Sequence, residues 1–218
     1  MITLVYAAIA IFASGLFDIL DGTVARKTGS SSRFGVEYDS ISDVIAFGVA
    51  PGLLAYMWAL KGYGRFGWLA AFLYVACGAL RLARYNVQVD TIQKKQFLGL
   101  PIPMAAWTIA ASVLFFTEFN VPVEIQKIFM PILVYALGFL MVSAVRYHSH
   151  KEASVLRTRH FEAVVVAILL FVIILIEPAV TLFVLTVGYV ISGPVLYLFR
   201  RKSGAEESVH SPGRTDKV

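Results

Sequence analysis

Seven apolar runs, at 2–17, 44–60, 66–85, 101–117, 128–145, 161–176 and 179–199, recur along this chain of 218 residues. Each is close to the length that an α-helix needs to cross about 30 Å of hydrocarbon. Inside lipid, backbone polar groups must be satisfied within the protein itself, so such runs joined by short connections fold as helices. Composition agrees: 58% of residues are hydrophobic, 15% are charged, and mean hydropathy is +0.74, which excludes an ordinary soluble domain. The sequence therefore predicts an all-α, polytopic membrane helix bundle of seven transmembrane helices over residues 1–200. A polar tail, 201–218, has nothing to bury and is expected to be disordered. The first run lacks a basic leader and a small-residue cleavage site, so it is expected to remain in the mature chain.

Charge sets the orientation. Sixteen of the 19 Lys and Arg residues lie in 26–34, 81–99, 146–160 and 200–218, while the alternate connections hold only Lys61, Arg65 and Lys127. The positive-inside rule places the first set in the cytoplasm and Met1 outside. The net charge of +5 is concentrated at that face, where it suits anionic head groups and phosphorylated substrates rather than nucleic acid. Cys77 stands alone, which excludes an internal disulfide and a cysteine-based metal site; a lipid-facing or packing role is expected. His148, His150 and His160 share a basic loop without nearby paired carboxylates, and are read as solvated histidines beside head groups.

Against this apolar background, residues 18–43 carry Asp18, Asp21, Gly22, Ala25, Arg26, Gly35, Asp39 and Asp43. At about 100° per residue, Asp18, Asp21, Gly22 and Ala25 share one stripe at the end of the first span, with Arg26 beside it. Gly35, Asp39 and Asp43, spaced by four, form a second stripe leading into the next span. The polar turn between them, 27–34, is predicted to bring the two helices together antiparallel, with the stripes facing. Four facing carboxylates repel one another and lose hydration near a membrane, so they call for cations. Oxygen ligands without Cys or His suit hard ions such as Mg²⁺, Mn²⁺ or Ca²⁺, and two divalent ions would neutralise four acids. Such a pair is suited to binding a diphosphate and to stabilising phosphoryl transfer. Gly22, Ala25 and Gly35 are small enough to let a ligand approach the backbone, although close helix packing explains small residues equally well. A cation transporter is the competing class; it predicts polar partners on several spans, whereas here the acids gather at one end.

This pattern closely resembles the signature of the CDP-alcohol phosphotransferases, integral membrane enzymes that move a phosphatidyl or similar group from a CDP-linked donor to an alcohol. All eight signature positions match. The resemblance implies that Asp18, Asp21 and Asp39 bind two divalent cations, Mg²⁺ or Mn²⁺. Asp43, it implies, touches a metal and serves as general base, while Gly22, Ala25, Arg26 and Gly35 shape the nucleotide site. Three further segments resemble the serine-using branch of the family: Arg81-Leu82-Ala83-Arg84-Tyr85-Asn86-Val87, Gly99-Leu100-Pro101-Ile102-Pro103, and Met141-Val142-Ser143 leading to Arg146-Tyr147 and Lys151. They imply CDP-diacylglycerol, or an ether-lipid analogue, as donor and serine as acceptor; glycerol phosphate and inositol phosphate are the alternatives within the family.

Serine carries a carboxylate and an ammonium, so Arg81, Arg84, Asn86 and Arg146 are the candidate acceptor-binding residues. Pro101 and Pro103 are expected to fix the start of the fourth span. By resemblance the protein is a homodimer in the cell membrane, with its site facing the cytoplasm. Similar enzymes have another transmembrane helix before the aspartate-bearing one. Met1 abuts apolar sequence directly, and the expectation is that it is internal to a longer reading frame or that the chain is a truncated form.

Overall fold

The computed structural model describes residues 2–28, 32–91, 99–145, 147, 165, 168–169 and 172–209. Among these the regular structure is entirely helical: α1 (Ile2–Thr28), α2 (Arg33–Asp43), a π-helical segment (Val44–Val49), α3 (Ala50–Trp58), a short 3₁₀ turn (Leu60–Tyr63), α4 (Arg65–Thr91), α5 (Ile102–Glu118), α6 (Val123–Val142) and α7 (Pro178–Val209). Five stretches are long and apolar enough to cross a membrane: Ile2–Val24, Phe34–Trp58, Arg65–Val87, Val123–Val142 and Pro178–Tyr197. α5 is apolar but only 17 residues long. The run at 161–176 falls largely outside the described residues, although 172–176 are helical. Six of the seven expected runs are thus helices here, five of them of spanning length.

Helix starts follow proline and serine chemistry. Pro101 and Pro122 precede α5 and α6 with φ −57° and −52°, and a fixed φ without an N–H suits that position. Pro103 lies within the first turn of α5, so the two prolines do set the start of that helix. Ser32 caps α2, accepting a hydrogen bond from the Gly35 N–H at 3.0 Å. The second span differs from its apolar run. α2, the π segment and α3 form one continuous rod that begins well before residue 44, and this places Asp39 and Asp43 on the spanning helix itself.

α5 is the central helix. It packs against α1, α7, α3 and α6, and Ala105, Ala106, Ile109, Ala110, Ala111 and Val113 are fully buried. Alanines on this helix permit close approach, which drives association where lipid removes the usual hydrophobic gain. Its hydroxyls turn inward on their own helix: Thr108 Oγ1 donates to the Met104 carbonyl and Ser112 Oγ to the Thr108 carbonyl, both at 2.7 Å. α4 packs mainly on α6. Cys77 meets that helix opposite Gly138, whose added Cβ would lie 3.7 Å from the Cys77 sulfur; the packing reading of Cys77 holds. Large side chains such as Phe66 and Phe139 point outward, as an apolar solvent allows.

Candidate active site

The two aspartate stripes meet. Single carboxylate oxygens of Asp18, Asp21 and Asp39 all lie within 4.8 Å of one another, although Asp39 comes from a different helix. Asp43 stands beside this trio, within hydrogen-bonding reach of Asp18. Asp18 and Asp43 are half-buried, Asp21 and Asp39 exposed. Two carboxyl groups in contact require a shared proton or an intervening cation, and three or four require more of either. The donor set is oxygen alone at a spacing a single ion can bridge, so these residues fit one or more hard divalent cations.

A cavity of about 370 Å³ opens over the cluster, lined by Asp18, Asp21, Asp39 and Asp43 together with Gly35, Tyr38, Ser42, Ser14 and Phe47. The π segment begins at the residue after Asp43. A π turn widens the helix and is frequent at functional sites. Here it is pinned from α4, whose fully buried Tyr74 donates its hydroxyl to the Phe47 carbonyl at 3.0 Å. Gly35 lines the cavity, and a Cβ there would lie 3.2 Å from the capping Ser32 Oγ. Gly22 is half-buried on α1 and does not line it. Helix α1 passes through Ala25 and Arg26, but the side chains of these two residues lie outside those described.

The acceptor-side candidates separate. Arg81 is buried and within electrostatic range of Asp43. Arg84, one turn from it, is exposed. Asn86 donates from Nδ2 to Ser40 Oγ at 3.0 Å; together they line a second groove of about 330 Å³ with Glu37 and Ile41, on another side of α2 from the acids. Arg146 and the three loop histidines lie outside the described residues.

The other two downstream segments prove to be one piece of architecture. Gly99 N–H donates to the Val145 carbonyl at 2.8 Å and Leu100 N–H to the Leu140 carbonyl at 3.1 Å, so 99–103 docks on the end of α6. Gly99 has φ +83°, and a Cβ there would strike the Met141 carbonyl; only glycine fits both demands. Ile102 and Met141, both almost fully buried, then reach α4 at Gly78, where an added Cβ would meet both side chains.

Two contributors were not singled out by the sequence reading. Ser14 lines the cavity, and its buried Oγ has no hydrogen-bond partner among the described residues; its place one helical turn before Asp18 is a usable signal. Tyr189, on α7, is within electrostatic range of Arg81, a proximity with no local sequence signal.

A sequence profile described as CDP-alcohol phosphatidyltransferase matches residues 2–142. Among curated proteins, a Helicobacter pylori CDP-diacylglycerol–serine O-phosphatidyltransferase is 37% identical over 196 residues, covering 89% of this chain and 81% of that protein. A Bacillus subtilis protein of the same name is 36% identical over 69% of this chain and 80% of its own length. An archaetidylserine synthase from Methanothermobacter thermautotrophicus is 42% identical over 65% of this chain and 57% of its own.

Proposed function

The chain belongs to the CDP-alcohol phosphatidyltransferase family, and we propose that it transfers the phosphatidyl group of CDP-diacylglycerol to L-serine, giving phosphatidylserine and CMP. One observation carries the reading: carboxylates from two helices converge within 4.8 Å beneath an open cavity, in a chain whose relatives are named for serine transfer. The archaeal relative leaves the tails open, since its name points to an ether-linked lipid.

Asp18, Asp21 and Asp39 would hold a pair of Mg²⁺ or Mn²⁺ ions. When bound, the cations neutralise the donor diphosphate and the charge that passes to departing CMP. Asp43 lies beside the trio rather than within it, which suits a base. It takes the serine hydroxyl proton; the oxygen attacks the phosphorus that bears the diacylglycerol; the bond from that phosphorus to the CMP oxygen breaks. Gly35 leaves room for the nucleotide at the cavity rim, with Gly22, Ala25 and Arg26 completing that side. Arg81, buried and within electrostatic range of Asp43, is the acceptor-side cation, with Arg84 and Arg146 as the further candidates; Asn86 belongs instead to the groove it shares with Ser40. The basic loops orient this end toward the cytoplasm, and the protein works as a homodimer in the cell membrane.

The test is CMP release from CDP-diacylglycerol by purified protein with Mn²⁺ or Mg²⁺, offered serine, glycerol 3-phosphate, inositol phosphate or no acceptor. Serine-dependent release is expected; release driven only by another alcohol would keep the family and reject the acceptor.

A further inference from the structure

Arg81 is a cation held inside a membrane bundle with part of its hydrogen-bonding capacity unused. It is only 9% exposed, and its Nε has no hydrogen-bond partner among the described residues. Three groups surround it electrostatically: the phenols of Tyr85 and Tyr189, and the carboxyl of Asp43. A buried donor left unsatisfied is expensive, and a buried charge more so. An arginine kept in this state is therefore built to receive something.

Tyr189 is itself fixed. Its ring stacks on Tyr147, with centroids 5.5 Å apart and planes 26° from parallel. Tyr147 is buried and donates its hydroxyl to the Val190 carbonyl at 3.0 Å. One turn beyond Tyr189, a Cβ on Gly193 would run into the Tyr147 ring, so the glycine leaves the slot that the ring fills. α7 thus brings a rigid phenol within electrostatic range of Arg81, and α2 brings Asp43 within the same range.

We propose that Arg81 anchors the carboxylate of the acceptor, with Tyr189 as its positioning residue, so that the site selects an amino-acid alcohol over the same amino alcohol without a carboxylate. The inference rests on the serine-transfer reading and names the element that makes it selective. Nε and the neighbouring terminal nitrogen of a guanidinium present two parallel N–H groups, the fork that matches a carboxylate. Asp43, within electrostatic range of Arg81, takes the hydroxyl end of the same small molecule, so one residue holds the acceptor where the other deprotonates it. An acceptor lacking the carboxylate leaves Arg81 unpaired, and sites built around buried polar groups reject such analogues strongly.

The experiment measures kcat and KM for serine and for CDP-diacylglycerol, together with the ratio of serine to ethanolamine used in direct competition. Wild-type protein is compared with Arg81→Gln, Arg81→Lys and Tyr189→Phe. Arg81→Gln should raise the serine KM by about 10- to 100-fold, leave the CDP-diacylglycerol KM within about twofold, and narrow the serine-to-ethanolamine ratio by at least about tenfold. Arg81→Lys, which keeps the charge and loses the fork, should fall between. Tyr189→Phe should narrow the ratio by about threefold through the serine KM alone. An unchanged ratio in the Arg81 variants, or a parallel rise in the CDP-diacylglycerol KM, would overturn the assignment and give Arg81 to the donor or to packing. If Arg81→Gln does not fold, Arg81→Lys and Tyr189→Phe decide by the same ratio. Wild-type protein that uses no serine would instead overturn the proposed function, a result separable from the variant outcomes.

Discussion

The acid pocket at the α1–α2 end and the α4–α5–α6 interior handle polar groups in opposite ways. In the interior, the hydroxyls of Thr108 and Ser112 are spent on their own helix at 2.7 Å, between alanines and glycine that bring the backbones together. In the pocket, Asp18, Asp21, Asp39 and Asp43 crowd one another, and Ser14 Oγ is left without a partner among the described residues. One region turns these hydroxyls back onto their own helix and owes its identity to volume. The other leaves acceptors pointing at one spot and owes its identity to charge. A membrane bundle accepts the second arrangement only where something from outside completes it.

The contrast can be broken or sharpened by substitution. The largest effect should come from Asp43→Asn, which removes the proposed base while keeping shape; turnover should fall by about 10²- to 10⁴-fold, with CDP-lipid binding and thermal stability retained. Stability should not drop, because a neutral amide relieves repulsion among the acids. Full activity would remove Asp43 as the base, and a collapse of stability would make the pocket architectural. On the other side, Gly99→Ala forces a Cβ into the Met141 carbonyl at φ +83°. A loss of about 2–3 kcal/mol is expected, read as a lower unfolding midpoint in detergent, with kcat per folded molecule little changed.

Tyr74→Phe probes the link between the regions, since the lost hydroxyl holds the Phe47 carbonyl of the π segment at 3.0 Å. It should cost about 1 kcal/mol of stability and lower kcat severalfold; an unchanged kcat would show that the π turn keeps its shape without this bond. The smallest effect belongs to Ser32→Ala, which deletes the cap on the Gly35 N–H. It should cost about 1 kcal/mol or less, with a modest rise in the CDP-diacylglycerol KM because Gly35 lines the cavity.

Helical spacing made the acid cluster legible, because Asp18 and Asp21 lie about one turn apart, as do Asp39 and Asp43, and a short polar turn joins the two pairs. The family resemblance supplied the donor chemistry that spacing alone left open. Less legible was the division among the downstream segments. Gly99-Leu100-Pro101 carries a resemblance to the serine-using branch and a helix start in its sequence, yet its backbone is also a clasp on α6, a long-range pairing that no local pattern announces. The second span starts earlier than its apolar run at 44–60, because the polar residues of α2 hide a helix that is continuous with it. The π segment leaves no trace either, since Val44–Val49 is ordinary apolar sequence, and the hydrogen bond on its Phe47 carbonyl comes from Tyr74 across on α4. Asn86 followed the arginines in sequence but faces Ser40 and a different groove, a matter of helix rotation between two packed rods.

The most direct test of the central claim, that four aspartates form a hard-cation centre moving a phosphatidyl group to serine, is a titration of Mn²⁺ or Mg²⁺ into metal-stripped protein with CDP-diacylglycerol and serine, following CMP and phosphatidylserine together. The account predicts no product without cation, saturable activation with equal amounts of the two products, and loss of that activation in Asp18→Asn and Asp39→Asn. Serine-dependent CMP release that is indifferent to added cation, or that survives in both variants, would contradict it.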